Sequence, residues 1–295
     1  MEKDKIIKGK GSERMQILNH LINRTNTCAA IGAFDGMHLG HRAVLRRLVE
    51  ESRERGLEAV AVTWMGSPEG QKVLTTQEEK AWLMEKIGVD VMVSLDREEI
   101  GKSSGELETE ILRRLGSSLV VSGKTAGQGL HGTDLYHVRE VCDEKGRIST
   151  RRVRSALTLG NMECTARLCG HPYVMMGRVV HGKAIGRTVG MPTANLAVPS
   201  QKQYPPNGVY AALARVDGHI YQGLTNIGPR PSVDDLPEIT IETFLQDFDR
   251  EIYGEPMVLE IHKHIRDIRK FSGIEEVKEQ VQRDLVQVKE YLDKL

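Results

Sequence analysis

The hydrophobic pattern of the chain changes near residue 170, and this change limits the possible folds more than any other feature. Before it, short apolar runs alternate with amphipathic stretches of helical spacing. After it, strand-like runs follow one another between Gly, Pro and Asn turns until one last helix. The first pattern predicts parallel strands joined by helices, and the second predicts the antiparallel strands of a small barrel.

With 295 residues the chain has room for two ordinary domains. The segment Gly170–His171–Pro172 is the candidate boundary, because Pro172 disfavours a helical conformation at the residue before it. We therefore predict an α/β domain with a parallel sheet over residues 1–170. For residues 171–295 we predict an antiparallel six-stranded β-barrel with a terminal helix.

Individual elements of the first domain follow from the period of the apolar residues. The predicted strands are 28–34, 57–64, 89–95 and 119–122, and the predicted helices are 42–55, 76–86 and 106–115. Thr76 and Glu79 have the spacing of a capping box, and Gly56 and Gly88 are helix stops.

The terminal helix is predicted over residues 272–292, with Ser272 and Glu275 as a second capping box. Its apolar residues recur at helical spacing, which predicts one stripe packed on the barrel. These residues are Ile274, Val277, Val281, Leu285, Val288 and Leu292.

A phosphate-binding segment is predicted over residues 177–196, which read GRVVHGKAIGRTVGMPTANL. Glycines let backbone N–H groups approach an anion, and Lys183 and Arg187 add positive charge. Thr193 and Asn195 share one face if their segment is extended, and two neutral oxygen ligands suit Mg²⁺ held together with substrate phosphates. The segment favours an ATP-using protein, and the alternative is a strand–turn–strand with a surface Asn.

The last third of the chain resembles riboflavin kinases, which phosphorylate riboflavin to FMN with ATP. The motif residues that carry the resemblance are Gly186, Arg187, Gly190, Pro192, Thr193, Ala194, Asn195, Pro205, Pro206, Gly208, Val209, Tyr210, Asn226, Ile227, Gly228, Arg230 and Pro231. An acidic run from Glu242 to Asp249 follows, with Tyr253, Gly254, Arg266 and Phe271 after it.

The kinase resemblance implies a role for each matched position. Glu242 is implied as the general base, Thr193 and Asn195 as Mg²⁺ ligands, and Arg266 and Phe271 as flavin-binding residues. The implied ATP-binding residues are Gly177, Lys183, Gly186, Arg187, Gly190 and Pro192. One departure lies in the glycine-rich flap, where Lys183, Ala184 and Ile185 replace the family's usual Asp, Gly and Arg.

A second constellation, GAFDGMHLGH, occupies residues 32–41 between a predicted strand and a predicted helix. A Gly-rich turn at a helix N-terminus can hold a phosphate through free N–H groups. His38 and His41 flank Gly40, and two imidazoles there could donate hydrogen bonds to a triphosphate. The alternative is an ordinary strand–loop–helix with two surface histidines.

Residues 14–170 resemble the HxGH nucleotidylyltransferases, in particular the FMN adenylyltransferase half of bacterial bifunctional FAD synthetases. The resemblance implies a Rossmann-like fold and the two histidines, His38 and His41, as catalytic residues. The other implied nucleotide-binding residues are Gly32, Phe34, Asp35, Gly36, Gly40, Ser149, Thr150 and Arg154.

Several motifs of this half depart from the family pattern. Ala33 replaces Asn, Arg151 replaces Thr, and the stretch 63–68 lacks the family's His. The loop 124–129 lacks an Asp and two aromatic residues, which removes area for a flavin ring to stack on.

Composition excludes some broader classes of function. Lys+Arg and Asp+Glu both number 41, a balance that argues against an obligate nucleic-acid binder. The four cysteines form no CxxC pair, which favours reduced and mostly buried thiols in a cytoplasmic protein. The charged N-terminus lacks a signal-peptide pattern, and no apolar run reaches the roughly 18 residues of a membrane helix.

Three functions fit the sequence. The first is a bifunctional enzyme that uses ATP and Mg²⁺ to convert riboflavin to FMN and FMN to FAD, releasing ADP in the first step. The second is a riboflavin kinase whose first domain no longer makes FAD. The third is a non-catalytic flavin- or nucleotide-binding regulatory protein.

Overall fold

The computed structural model describes residues 15–66, 71–96, 104–123, 133–182, 192–229 and 239–295. The chain divides into two compact units, Met1–Thr150 and Arg151–Leu295. Among the described residues, no helix is long and apolar enough to cross a membrane. All four cysteines are free thiols, and only Cys28 and Cys169 are buried, so the prediction of mostly buried thiols holds for half of them.

The first unit contains a six-stranded parallel sheet with the strand order β1-β4-β3-β2-β5-β6. Its elements in chain order are β1 Gln16–Leu18, β2 Thr27–Ile31, α1 Leu39–Arg55, β3 Glu58–Trp64, α2 Gln77–Ile87, β4 Val91–Leu95, α3 Ser104–Arg114, β5 Ser117–Ser122, β6 Asp134–His137, and the small antiparallel pair β7 Cys142–Asp143 and β8 Gly146–Arg147.

Helices cover both faces of this sheet. Leu45 and Leu48 of α1 and Met84 of α2 pack with Ala30 and Ala61 on one face. On the opposite face α3 packs against the alternate residues of the same strands, including Val60 and Val62. The alternation of the two sets along each strand follows from the two-residue period of a β-strand, and it confirms the predicted parallel α/β fold.

The predicted strands and helices of the first unit are all present, with shifted ends. β2 ends at Ile31, because Phe34 has a φ of 48° that an extended strand cannot contain. α1 begins three residues before the predicted start, because His38 caps it. The Thr76–Glu79 capping box is confirmed. Sequence periodicity missed β1 and β6, which are short strands at the two edges of the sheet.

The second unit is a closed antiparallel barrel with the strand order β10-β13-β12-β11-β14-β9. Helix α4, Thr150–Thr158, begins at the division between the units. The remaining elements are α5 Met162–Cys169, β9 Tyr173–Val180, β10 Thr193–Ala197, β11 Gly208–Val216, β12 His219–Pro229, β13 Ile239–Leu245, β14 Pro256–Arg266 and α6 Ile274–Leu292.

Terminal helix α6 packs on the outer face of β11 and β12. Val288 and Leu292 are buried there against Ala211 and Leu224, while Ile274 in the first turn is 48 % exposed. The predicted capping box at Ser272 and Glu275 is wrong. The helix N-cap is Gly273, which makes no side-chain cap bond, and the backbone N–H and hydroxyl of Ser272 both donate to Glu276 Oε2.

Helix α5 belongs to the packing of the barrel. It contacts β9 and β14, and its residues Met162, Thr165, Leu168 and Cys169 are buried. A fragment that starts at residue 171 therefore exposes the strand surface that α5 covers.

We expect both residues 151–295 and residues 171–295 to fold as soluble fragments, with the longer fragment more stable by at least about 2 kcal/mol, since full burial of one large apolar side chain contributes about that much. Urea unfolding of the two fragments measures the difference. Equal unfolding free energies would contradict a stabilising role of α5.

Candidate active sites

The turn after β2 is held in a tight conformation by its own buried residues. Phe34 and Met37 have positive φ angles of 48° and 40°, and Gly36 has 79°. Left-handed conformations disfavour side chains with a Cβ, but Phe34 and Met37 are fully buried, and their packing offsets that strain. A Cβ on Gly32 would lie 3.1 Å from the ring of Phe34, so any larger residue here would have to displace that buried ring slightly.

Asp35 anchors the turn to the segment before α2. Its Oδ1 accepts hydrogen bonds from the backbone N–H groups of Leu74, at 2.7 Å, and Thr75, at 2.9 Å. The N–H of Gly36 donates to Thr75 Oγ1, and the hydroxyl of Thr150 donates to the Asp35 carbonyl. Among the predicted nucleotide-binding residues, Asp35, Gly36 and Thr150 are thus brought together, and their visible contacts shape the turn.

His38 is the N-cap residue of α1. Its Nδ1 accepts from the N–H groups of Gly40, at 3.1 Å, and His41, at 3.4 Å. An accepting Nδ1 carries no proton, so the proton of the neutral ring lies on Nε2. Backbone geometry therefore leaves Nε2–H of His38 as a hydrogen-bond donor.

His41 stacks on His38 with 3.7 Å between ring centroids and an interplanar angle of 20°. Burial and the charge of Arg147 lower the pKa of His38 to about 4. The pKa of His41 is well below its usual value because of burial, His38 and Lys80. Both rings are neutral near pH 7, so they can act as hydrogen-bond donors rather than as cations.

Two cations beside the histidines were missed by sequence reasoning. Arg147 of β8 lies close enough to His38 to lower its pKa, and Lys80 of α2 does the same to His41. The available signal for Lys80 was its position three and four residues before Leu83 and Met84, on the apolar stripe of α2. A charged residue on an apolar stripe is expected to be buried, and its burial indicates a role other than solvation.

The remaining predicted residues of this half are only partly described. Ser149 precedes α4 and Thr150 begins it, while the guanidinium of Arg154 one turn later donates to Gln203 Oε1. Ser67, Pro68 and the loop 124–129 lie outside the described residues. The departures expected to affect the flavin ring are therefore untested by the structure.

We expect His38→Asn to remove a pH dependence of stability, because Asn also caps helices but does not titrate. A folded-state pKa near 4 means that the unfolded chain binds a proton between about pH 6.5 and pH 4 that the folded chain does not. Wild-type stability should therefore fall as pH drops, by about 2 kcal/mol more than that of the variant between about pH 7.5 and pH 5. Urea unfolding at the two pH values measures this, and equal losses would contradict the neutral buried cap.

The barrel contains a second constellation, built by the pairing of its strands. One row of directly paired residues crosses all six strands in the order Arg266, Val209, Asn226, Glu242, Asn195 and Val180. Directly opposite residues of an antiparallel pair lie on the same face, with Cβ atoms about 4.5–5.5 Å apart. The pairing therefore places Glu242 between Asn195 and Asn226.

This row, which we call the polar row, lies on the outer face of the barrel. Its neighbours Ala194, Thr225 and Thr243 are buried, and the hydroxyls of Thr225 and Thr243 lie 3.0 Å apart. Thr193 shares the face of Asn195, as predicted from the two-residue period. Within the described residues, no side-chain hydrogen bond engages Thr193, Asn195, Asn226 or Glu242. Asn226 was quoted in a sequence motif but not predicted as a site residue.

The glycine-rich flap begins beside Asn195. A Cβ on Gly182 would overlap the side-chain amide of Asn195, so the absence of a side chain at Gly182 leaves room for this amide. His181 stacks on Tyr253 with 3.7 Å between centroids. Lys183, Gly186, Arg187 and Gly190 lie outside the described residues, and Pro192 is exposed.

Gly177, another predicted ATP-binding residue, has a packing role in the structure. It lies in the middle of β9, and a Cβ there would overlap the carbonyl group of Ala197 on β10. The close approach of the two strands is sufficient to require glycine at this position.

Arg266 is fixed by the terminal helix. Its Nε and Nη2 both lie 2.9 Å from Asp284 Oδ2, and Gln280 donates to the other oxygen of this fully buried carboxylate. Two guanidinium groups lie near Phe271, with Arg266 at 5.7 Å and Arg269 at 4.7 Å from its ring centroid. The structure thus places Arg266 near Phe271, and Asp284 anchors Arg266.

The side-chain oxygens of Asn195 in the polar row and of the nearby Thr193 fit a magnesium ion that is shared with a substrate. Hydroxyl and amide oxygens from Thr193 and Asn195 are suitable ligands, but a divalent ion usually also needs carboxylates or phosphates. The described residues hold no cluster of three or more His, Cys, Asp or Glu that could bind a metal by itself. A nucleotide would have to supply the missing oxygens.

Two family models match the chain, one on each side of the change in pattern. The FAD synthetase model matches residues 21–161, and the riboflavin kinase model matches residues 169–292. Both describe transferases that take ATP as co-substrate.

Curated relatives cover nearly the whole chain. The bifunctional riboflavin kinase/FMN adenylyltransferase of Bacillus subtilis is 32% identical, over 94% of this chain and 96% of its own length. That of Listeria monocytogenes is 33% identical over 92% and 94%, and that of Escherichia coli K12 is 32% identical over 88% and 91%. The chain belongs to the bifunctional riboflavin kinase/FMN adenylyltransferase family.

A solved structure has a similar fold. The crystal structure of a protein named as a macrolide-efflux protein of Streptococcus pneumoniae has a TM-score of 0.79 and 26% identity to this chain. The similarity covers 91% of this chain and 95% of that chain.

Proposed function

We propose that this chain phosphorylates riboflavin to FMN with its barrel and adenylylates FMN to FAD with its α/β half. The observation that carries the proposal is the polar row, in which strand pairing sets the carboxylate Glu242 between the amides Asn195 and Asn226. The boundary between the two activities is proposed near residue 170, in the gap between the two family matches.

In the kinase half, Glu242 is the general base. Its carboxylate takes the proton of the 5′-hydroxyl as the oxygen attacks the γ-phosphorus of ATP, and ADP leaves. Thr193 and Asn195 would hold Mg²⁺, which when bound neutralises charge on the phosphates. The residues proposed to hold ATP are Gly177, Lys183, Gly186, Arg187, Gly190 and Pro192, and Arg266 and Phe271 are proposed to hold the flavin.

In the α/β half, a phosphate oxygen of FMN attacks the α-phosphorus of ATP. The bond to the bridging oxygen breaks, and pyrophosphate leaves. No proton has to be transferred, so neutral hydrogen-bond donors suffice. His38, through Nε2–H, and His41 are proposed to stabilise the charge that gathers on the phosphate oxygens. Gly32, Phe34, Asp35, Gly36 and Gly40 shape the turn, and Ser149, Thr150 and Arg154 are proposed to bind pyrophosphate.

A kinase without FAD synthesis is the second candidate function. It is favoured by Ala33, by Arg151, and by the absence of a histidine from 63–68, since these positions depart from the family pattern. The His38–His41 pair argues against this candidate, because both rings are present and stacked and a backbone hydrogen bond fixes the tautomer of His38. A non-catalytic flavin-binding protein is the weakest candidate, because a mere binder has no need of a carboxylate beside the metal ligands.

We expect Glu242→Gln to lower FMN formation by about 10²–10⁴-fold, because the amide keeps the shape of the side chain but is a poor proton acceptor. ATP binding should stay nearly unchanged. FAD formation from supplied FMN by the same variant is the internal control and should equal that of the wild type. Asn195→Ala should instead weaken Mg²⁺–ATP binding by the kinase half. Near wild-type FMN turnover in Glu242→Gln would disprove the assignment of the base.

We expect His41→Ala to lower FAD formation from supplied FMN by at least about tenfold, since removal of one preorganised donor at a developing anion typically costs about 10²–10³ in rate. FMN formation from riboflavin by the same variant should be unchanged. A loss of both activities would mean that the substitution damages the fold, and an unchanged FAD rate would exclude His41 from catalysis.

A further inference from the structure

Lys80 is a buried lysine without a carboxylate partner. Its residue is 2 % exposed, and its Nζ donates to Thr63 Oγ1 and to the carbonyl of Trp64, each at 3.2 Å. Within the described residues, no Asp or Glu forms an ion pair with it. An ammonium group has three donors, and the two long bonds to neutral acceptors satisfy only two of them.

The burial of this charge is unfavourable. Desolvation lowers the pKa of Lys80 to about 8, and the negative charge of Asp35 opposes the effect. The group therefore remains mostly protonated near pH 7. An apolar side chain of similar length would fill the same space at a lower free energy. Packing alone does not account for a lysine here.

The ammonium group of Lys80 lies at the carboxyl end of the central strand β3, close to the turn of residues 32–41. Thr63, its first acceptor, donates its own hydroxyl to the carbonyl of Ala33 in that turn. Its charge reaches His41, whose pKa it lowers. The strand order reverses at β2, and ligands of open α/β sheets bind at the carboxyl ends of strands at such a point.

We propose that Lys80 is a buried counter-charge for the triphosphate of ATP in the α/β half. Its ammonium group lies at the carboxyl end of β3, next to the turn that carries His38 and His41. This inference rests on the proposed nucleotide site of that half, although it does not require that the chain make FAD. The competing explanation is that the hydrogen bonds of Lys80 only stabilise the packing of α2 against β3.

Lys80→Met separates the two explanations. Methionine keeps the length and the helix propensity but removes the charge. The groups that lose Lys80 keep other partners, since Gln77 still donates to the Trp64 carbonyl and Thr63 still donates to Ala33. Lys86→Met is the matched control, because Lys86 is an exposed lysine on the same helix.

The test is equilibrium binding of ATP and of adenosine to the full chain in an Asn195→Ala background, in which the ATP site of the kinase half is weakened. We expect Lys80→Met to lower ATP affinity by at least about tenfold and to change adenosine affinity by less than about twofold. The thermal unfolding midpoint should not fall. Lys86→Met should match the background in all three measurements.

Several results would overturn the proposal. They are an unchanged ATP affinity, a parallel loss of ATP and adenosine binding with a lower unfolding midpoint, or no ATP binding by the α/β half at all. FAD formation is measured in parallel on the chain with Asn195 intact. A selective loss of ATP binding in a chain that makes no FAD would support the role of Lys80 and contradict the proposed FMN adenylylation.

Discussion

The pairing register of the barrel strands is the constraint on which the kinase half depends. The polar row exists because five strand pairs place its members directly opposite one another. A slip by one residue in the β10–β13 pair would turn Asn195 to the face of its buried neighbours and away from Glu242. The apolar residues inside the barrel and helix α6 outside it fix this register. The packing that stabilises the barrel therefore also fixes the position of Glu242 next to Asn195.

The electrostatic requirement of the α/β half differs from that of the barrel. The chemistry proposed for it needs hydrogen-bond donors for phosphate charge and no base, and the structure has neutral imidazoles beside cations. The N–H groups at the start of α1 fix the tautomer of His38, while burial, together with the charges of Arg147 and Lys80, keeps the pair neutral. Burial of Phe34 and Met37 holds the strained turn that presents the histidines. In the barrel, in contrast, the carboxylate of Glu242 forms no ion pair with any residue that the structure describes.

Sequence patterns predicted what depends on local period and short motifs. The two-residue alternation of Thr193 and Asn195 and the cap of α2 are examples, since each involves neighbours in the chain. Patterns could not predict that Asn195 and Asn226 lie opposite Glu242, because strand pairing brings together residues that are distant in sequence. They also missed that Asp284 holds Arg266, and they misplaced the cap of α6, where Glu276 rather than Glu275 bonds Ser272. The position of Lys80 on the apolar stripe of α2 indicates burial, but its hydrogen-bond acceptors on β3 follow only from the packing of the helix.

One chain is proposed to perform two successive ATP-dependent steps, one in each half. Chromatography of the flavins over time, after the full chain is mixed with riboflavin, ATP and Mg²⁺, tests both steps in one experiment. We expect FMN to appear first and FAD then to form as FMN is consumed. Accumulation of FMN without FAD would contradict the proposed function of the α/β half, and unchanged riboflavin would contradict the account of the polar row.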